Sequence, residues 1–535
     1  MTFMGTKRKS LRFILGLVVI LCFFSGIYAS QGLIEESTKK RNILVVVFPG
    51  GKSHNFVLKE LFDFSLQNEK EFEYTYHILV HNWDRDAWPE EGPYQLHSYG
   101  DKILYDQIFN SALDMVRKDP IFGYTRFNKA MVHIYEQFLE SGVLSTLEKI
   151  KFETLITDVP NFITKFLYKH LKIRNNIYCS PPSLPNLYYN LFEMNPSYLP
   201  TIGATFADLM TFKERFVNSV YVFGMKVMFW LFMGEQVNTF KKYGHQLDSS
   251  DIFVHESFVM IQYSPGLFYN FSHPPNFALL SAVSPKPARP IKDSSPEIEN
   301  FLQKHKKVIY FSQGTIVKIV NFEKISKIFT YFKNYGFILS FKNSVIDEEK
   351  RKEFPENVMF VGWVKQNDLL GDPRISAFIT HGGTNSVCEA IYHGKPLIVL
   401  GVTLDQINTA SVVKTRNLGI VISSFNDIND HVLISALEEI LQPEEKNLYI
   451  QNVHKYGRLM KGNKEPRKEF HYWINYGMKF GYEHLLVKAY TEYNFVQLYN
   501  YDVMIFLFII FFFLIKMTMM LFYCCRQKGS KEKQQ

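Results

Sequence analysis

Cysteine is scarce in this chain. There are five among 535 residues, and Cys22, Cys524 and Cys525 lie in its apolar ends. Only Cys179 and Cys388 remain between those ends, which excludes a disulfide-stapled scaffold. The net charge of +8 is modest for the length, and the Lys and Arg residues are dispersed. No basic stripe with interleaved aromatics falls on one element, which argues against a nucleic-acid partner. Internal repeats are missing, so a repeat architecture is not expected. The one early glycine loop, Pro49-Gly50-Gly51, lacks the G-x-G-x-x-G spacing and is no dinucleotide fingerprint.

What is present is a chain too long for a single core, with 47% hydrophobic and 16% aromatic residues unevenly spread. Residues 1–30 read as a secretory signal. Lys7, Arg8, Lys9 and Arg12 precede the apolar run Phe13–Phe24, and Ala29 or Ser30 is the small residue near a cut. An uncleaved anchor is the other reading, and the short apolar core speaks against it.

Residues 502–523 are mostly apolar and long enough to cross a bilayer, with Lys516 snorkelling or facing a partner. Arg526, Lys528, Lys531 and Lys533 follow, so the tail 524–535 is expected in the cytoplasm and nearly all of the chain on the lumenal side. Lys531 and Lys533 resemble a dilysine address for return to the endoplasmic reticulum. Cys524 and Cys525 sit at the membrane edge, where acylation can occur. Asn270-Phe-Ser272 is a sequon, either a glycan acceptor or a chance match.

Strands are expected at 43–47, 74–80, 154–157 and 177–179, each followed by helical stretches. After "SPKPARPIKDSSPE" (284–297), a linker by its prolines and serines, strands are expected at 308–311, 337–340, 358–361, 377–380, 397–400 and 419–422. Helices at 322–332 and 430–440 fill two of the gaps. Alternating β and α units predict parallel, doubly wound sheets. The expected organisation is an acceptor-binding domain at 31–283, the linker, and a donor-binding domain at 298–480. A membrane-proximal segment at 481–501 precedes the span.

The chemistry gathers at strand ends, where such sheets bind ligands. His381 ends one strand, Gly382-Gly383 permits a tight turn, and Thr384, Asn385 and Ser386 open a helix that Gly394 stops. Free amides at a helix start, with a hydroxyl and an imidazole, suit a phosphate. Glu389, one turn past Asn385, can accept from two ribose hydroxyls. Asp405 and Gln406 open the next helix, where acid plus amide suits a sugar. Trp363 offers a stacking face for a base and Gln366 a polar partner. Each residue alone is as readily an ordinary cap or core polar group; the set converges on a nucleotide sugar.

"NVMFVGWVKQNDLL", "FITHGGTNSVCEAIYHGKPLIVL" and "DQINTA" together resemble the signature of the UDP-glycosyltransferase family. "VIYFSQGT" (308–315) is similar to the family's first strand and turn in this half, adding Ser312, Gly314 and Thr315 to the UDP-sugar set. "NPSYLP" (195–200) and "MTFKERFVN" (210–218) resemble its acceptor-side segment. The resemblance implies two Rossmann-like α/β domains facing a cleft, the glycosyltransferase-B arrangement, plus one C-terminal transmembrane helix.

It also matches His54 to a catalytic base and Asp158 to the acid that orients it. A neutral imidazole can take a hydroxyl proton, and a carboxylate fixes its tautomer. From the residues alone, a His after a strand is as readily a surface or capping group.

The implied activity is inverting transfer of a glucuronosyl or glucosyl group from a UDP-sugar to a hydroxyl of a small lipophilic acceptor. No cofactor or metal is expected, and Asp84-Arg-Asp86 is read as a loop. A homo- or hetero-oligomer stays open. Other readings are an inactive binding or partner protein of the same fold, and a transferase acting on lipid-linked or protein-bound glycans. Lys365, Gly401, Leu404 and Asn408 depart from the family pattern and leave the sugar's identity open. The Phe- and Met-rich "YVFGMKVMFWLFMG" (221–234) suits core packing, membrane contact, or the lining of an apolar acceptor pocket.

Overall fold

Ile43, Val45 and Val47 side chains join one apolar cluster, while Leu44 and Val46 join another, as the two-residue period of a strand demands. A strand buried on both faces needs a cover on each side, and helices supply it. The computed structural model describes residues 40–50, 52–104, 107, 120–158, 161–180, 195–201, 203–247, 256–314, 325–341, 351–400, 404–422 and 428–531. The signal at 1–30, Thr315, Gly401 and Lys533 lie outside the described residues.

The first sheet holds β1 (Lys40–Val46), β2 (Glu73–His81), β3 (Tyr94–Tyr99), β4 (Thr154–Thr157), β5 (Asn175–Ser180), β6 (Phe258–Gln262) and β7 (Phe277–Leu280). Their spatial order is 3-2-1-4-5-6-7, and every pairing is parallel. The second sheet holds β8 (Val308–Ser312), β9 (Gly336–Ser340), β10 (Val358–Val361), β11 (Ile375–Thr380), β12 (Leu397–Val399) and β13 (Gly419–Val421). Its order is 10-9-8-11-12-13, again all parallel. These are two doubly wound sheets of the glycosyltransferase-B type, as expected. The order reverses between β1 and β4 in one and between β8 and β11 in the other, and such switch points are where ligands bind.

Every strand expected from the sequence is present, and β3, β6 and β7 are additional. The helix expected at 430–440 is Asp430–Ile440, with Asn429 accepting from Val432 N–H as its cap. In the other gap the described residues give Lys327–Tyr331.

Three segments tie the halves together. Glu60, on helix Lys52–Asn68, accepts from Lys286 Nζ at 2.7 Å and from Arg467 at 2.7 Å. Arg467 opens helix Pro466–Phe480, whose Phe470, Ile474 and Met478 pack into the core of the first sheet. The chain therefore returns from the second sheet to the first before its last helix begins. Helix Tyr501–Lys531 then carries the stretch Tyr501–Tyr523, with mean hydropathy 2.6 and none of it buried. Among the described residues it is the one segment long and apolar enough to cross a membrane.

Candidate active site

At the first switch point β1 runs into the loop before helix 52–68, and β4 ends at Asp158. His54, on the first turn of that helix, places Nδ1 2.8 Å from Asp158 Oδ2. Asp158 is fully buried, and its other oxygen accepts from Phe48 N–H at 2.9 Å. With both oxygens engaged, the carboxylate holds the Nδ1–H tautomer and leaves Nε2 as the basic nitrogen. His54 keeps 21% of its side chain exposed. The loop between them is fixed by a second buried acid. Asp84 accepts from Gly50 N–H at 2.6 Å, and Gly50 has a φ of 94° that a larger residue would resist. Asp86 faces outward to Lys102 at 3.0 Å, so the two acids of the 84–86 stretch do not converge on one point.

At the second switch point β8 ends in Ser312-Gln313-Gly314, and β11 ends at Thr380 before His381. A Cβ on Gly314 would lie 2.4 Å from the His381 ring, and one on Gly383 would lie 2.7 Å from it. The imidazole is therefore slotted between two residues that must be glycine, and Gly314 also has a φ of 74°. Burial pushes the His381 pKa down to about 4, against a smaller upward pull from Asp405, so the ring is neutral at ordinary pH. Its Nδ1 is a buried atom without a hydrogen-bond partner among the described residues. Gly314 N–H reaches Ser312 Oγ at 3.4 Å.

Helix Thr384–Tyr392 starts beside that ring, with Gly383 as its N-cap, no side-chain cap, and Gly394 at φ 70° closing it. Its second turn and helix Gln366–Leu370 share one cluster. Gln366 Nε2 donates to Ser386 Oγ at 2.9 Å and to Glu389 Oε2 at 2.8 Å. Burial raises Glu389 to about 7, and the Gln366 amide opposes that shift in part. Thr384 Oγ1 lies 3.4 Å from Thr409 Oγ1. Asp405 and Gln406 open helix Leu404–Thr415 at the same end of the sheet, with Gln406 buried.

The structure thus brings Ser312, Gly314, Gln366, His381, Gly383, Thr384, Ser386, Glu389, Asp405 and Gln406 to one edge of the second sheet. Asn385 turns elsewhere: its Oδ1 accepts from Gln262 Nε2 of β6 at 2.8 Å, across the cleft. Trp363 is 71% exposed and stacks on Phe56, two residues past His54, with ring centroids 5.3 Å apart. Asn408 fastens the segment at 201–203 by accepting from Gly203 N–H at 2.7 Å and donating to Thr201 O at 3.0 Å. Asn270 is exposed in the loop between β6 and β7.

Sequence reasoning missed Phe56 and Gln262, and it read Asp84 as part of a loop without its bond to Gly50. Phe56 alone left a signal, being an apolar residue off the buried face of an amphipathic helix. Among the described residues no group of three His, Cys, Asp or Glu could hold a metal ion.

Two parallel sheets, each with its candidate site side chains at a switch point and the two edges in contact, define a protein of the glycosyltransferase-B class. The comparisons agree. The glycotransferase of kitacinnamycin superposes with a TM-score of 0.55 at 16% identity, covering 81% of this chain and 98% of its own. A variant of Os79 from O. sativa in complex with UDP gives 0.54 at 14% identity, covering 81% and 99%. The profile described as UDP-glucoronosyl and UDP-glucosyl transferase matches residues 44–535, and the chain belongs to that family. UDP-glucuronosyltransferase 2B23 of Macaca fascicularis is 28% identical over 354 residues. That alignment spans 64% of this chain and 64% of the relative, just under two thirds of its length.

Proposed function

We propose that this protein transfers a hexosyl group, glucuronosyl or glucosyl, from a UDP-sugar to a hydroxyl of a small lipophilic acceptor. The observation that carries the reading is the pair of switch points: an oriented imidazole at one and a glycine-slotted imidazole beside a helix start at the other. In the proposed step His54 Nε2 takes the acceptor's hydroxyl proton while that oxygen bonds to the sugar's C1. The bond from C1 to the UDP oxygen breaks from the opposite side, its electron pair leaves with UDP, and the anomeric centre inverts. Asp158 stabilises the imidazolium formed on His54.

UDP would sit against the second edge. Its phosphates fit the helix start at Thr384–Ser386 and the N–H of His381, which meet the charge that grows on the leaving group. Glu389 suits the ribose diol, Gln366 and Trp363 the base, and Asp405 with Gln406 the sugar hydroxyls. UDP-sugar is a substrate here, and the reading assigns no cofactor or metal. The apolar helix 501–523 supports a single-pass anchor, and the basic residues after it support a type I placement in the endoplasmic reticulum membrane with the catalytic part lumenal.

The test uses membranes carrying the full chain. They are incubated with UDP-glucuronate, UDP-glucose, UDP-galactose and UDP-N-acetylglucosamine against a panel of phenols and steroids, and the anomeric configuration of any product is read. An inverted product that His54→Ala abolishes is expected. No transfer from any donor, or a His54→Ala protein as active as wild type, contradicts the reading.

A further inference from the structure

The helix that carries His54 is held on two sides. Val57, Leu58, Leu61 and Phe62 are buried in the core of the first sheet, and Asn55 accepts from the buried Trp88 Nε1 at 2.8 Å. At 100° per residue, Phe56 and Glu60 fall roughly opposite that apolar face. Phe56 meets Trp363 of the second half, and Glu60 meets the linker and the returning helix.

Lys286, in the linker, is pinned to the second half by its backbone. Its N–H donates to Asn367 Oδ1 at 3.1 Å, and its C=O accepts from Asn367 Nδ2 at 3.0 Å, one residue past Gln366. Arg289 N–H adds a bond to Asp368 Oδ1 at 3.1 Å. The Lys286 ammonium then reaches back to Glu60 Oε1 at 2.7 Å. The same oxygen accepts from Arg467 at 2.7 Å, and that guanidinium also donates to Val283 O at 3.0 Å. Arg467 keeps only 15% of its side chain exposed, so its pairing is largely shielded from salt. One carboxylate oxygen thus joins helix 52–68, the linker and helix 466–480, and the linker is fastened in turn to helix 366–370.

We infer that Glu60, Lys286 and Arg467 are positioning residues: their knot seats the His54 helix against the donor edge and balances the charge beside Glu389. The inference rests on the transfer reading above. Glu60 stands six residues from His54 on one helix, about 9 Å along its axis, so play at the knot reaches the base directly. A displacement of about 1 Å at a reacting group can cost about a hundredfold in rate. The other part of the role is electrostatic. Burial holds the Glu389 carboxyl up, Gln366 and Ser284 hydrogen-bond its charged form, Lys286 favours that form and Glu60 opposes it. Tyr310 and Cys388 also lie near, and burial keeps both neutral. Removing Glu60 therefore lets Glu389 ionise more readily, and removing Lys286 makes it ionise less readily.

The test uses the purified full chain as wild type, Glu60→Gln, Lys286→Met, the double variant and His54→Ala. UDP is titrated by calorimetry from about pH 6 to pH 8, and turnover is measured beside it. Each single change at the knot is expected to slow turnover by about tenfold, and the double variant should be no slower than the slower single. The pH at which UDP affinity rises should move down by roughly half a pH unit in Glu60→Gln and up by as much in Lys286→Met. Opposite signs are not what a merely loosened fold gives. Two shifts of one sign, no shift, or wild-type turnover in both variants overturns the inference. His54→Ala, whose knot is intact, should keep the wild-type pH curve. A His54→Ala protein as active as wild type sinks the transfer reading instead, and the UDP titrations still judge the knot.

Discussion

The two switch points share one topology and hold different chemistry. At the first, His54 has a buried carboxylate on one nitrogen and a partly exposed side chain, and both oxygens of Asp158 are engaged. At the second, His381 has no acid bonded to it, is walled by Gly314 and Gly383, and keeps Nδ1 unpartnered among the described residues. An imidazole backed by a carboxylate is built to accept a proton. An imidazole held neutral by burial, beside free helix amides, is built to meet an anion. On the proposed function, the same strand-end position serves as a base or a binder according to what stands behind the ring.

Substitutions can break the comparison, and the largest effect belongs to the first point. Replacing His54 with alanine is expected to lower turnover by about 10²–10⁴-fold while leaving donor affinity unchanged, as steady-state kinetics at varied UDP-sugar would show. Asp158→Asn keeps the geometry but loses the charge behind the ring. It should cost about as much in turnover, and a loss confined to donor KM would count against the assignment. The reverse split is expected from Gly314→Ala. A methyl group in the His381 ring, at a φ of 74°, should weaken donor binding by roughly tenfold or more, since a left-handed non-glycine residue alone costs about 1–2 kcal/mol.

A pH series sharpens the contrast. The Glu389 carboxyl is held up at about 7 by burial, so it protonates as pH falls through neutrality and offers fewer acceptors to a ribose diol. Donor affinity should therefore rise between pH 6 and pH 8 in the wild-type protein, by about tenfold at most. Glu389→Gln should flatten that dependence; a slope that survives the change removes Glu389 from the ribose role. The smallest effect is expected across the cleft. Phe56→Ala removes an aromatic stack worth about 0.5–1.5 kcal/mol from Trp363, and donor KM should shift two- to tenfold.

The second half was the more legible in sequence. Its strands are short apolar runs, four of them followed within two residues by a glycine, and His381, Ser386 and Glu389 follow one of these, so local pattern alone placed them on one edge. Strands β3 and β6 were harder. "YQLHSY" is half polar, and "FVMIQ" is one brief run before "YSPG", so neither declares itself by period. Helix 466–480 has a visible start in Pro466, but nothing local says that Phe470 and Ile474 belong to the core of the first sheet. Asn385 sits at the expected helix start, yet its partner is Gln262, more than a hundred residues earlier. Such pairings come from how the two sheets meet, which no window of sequence contains.

The division of labour between the two imidazoles is tested most directly by titrating UDP into the purified full chain, following heat, for wild type, His54→Ala and His381→Ala. The account predicts that His54→Ala binds UDP as wild type does and that His381→Ala binds about tenfold or more weakly. Equal affinities for wild type and His381→Ala, or a loss in His54→Ala as large as in His381→Ala, would contradict it.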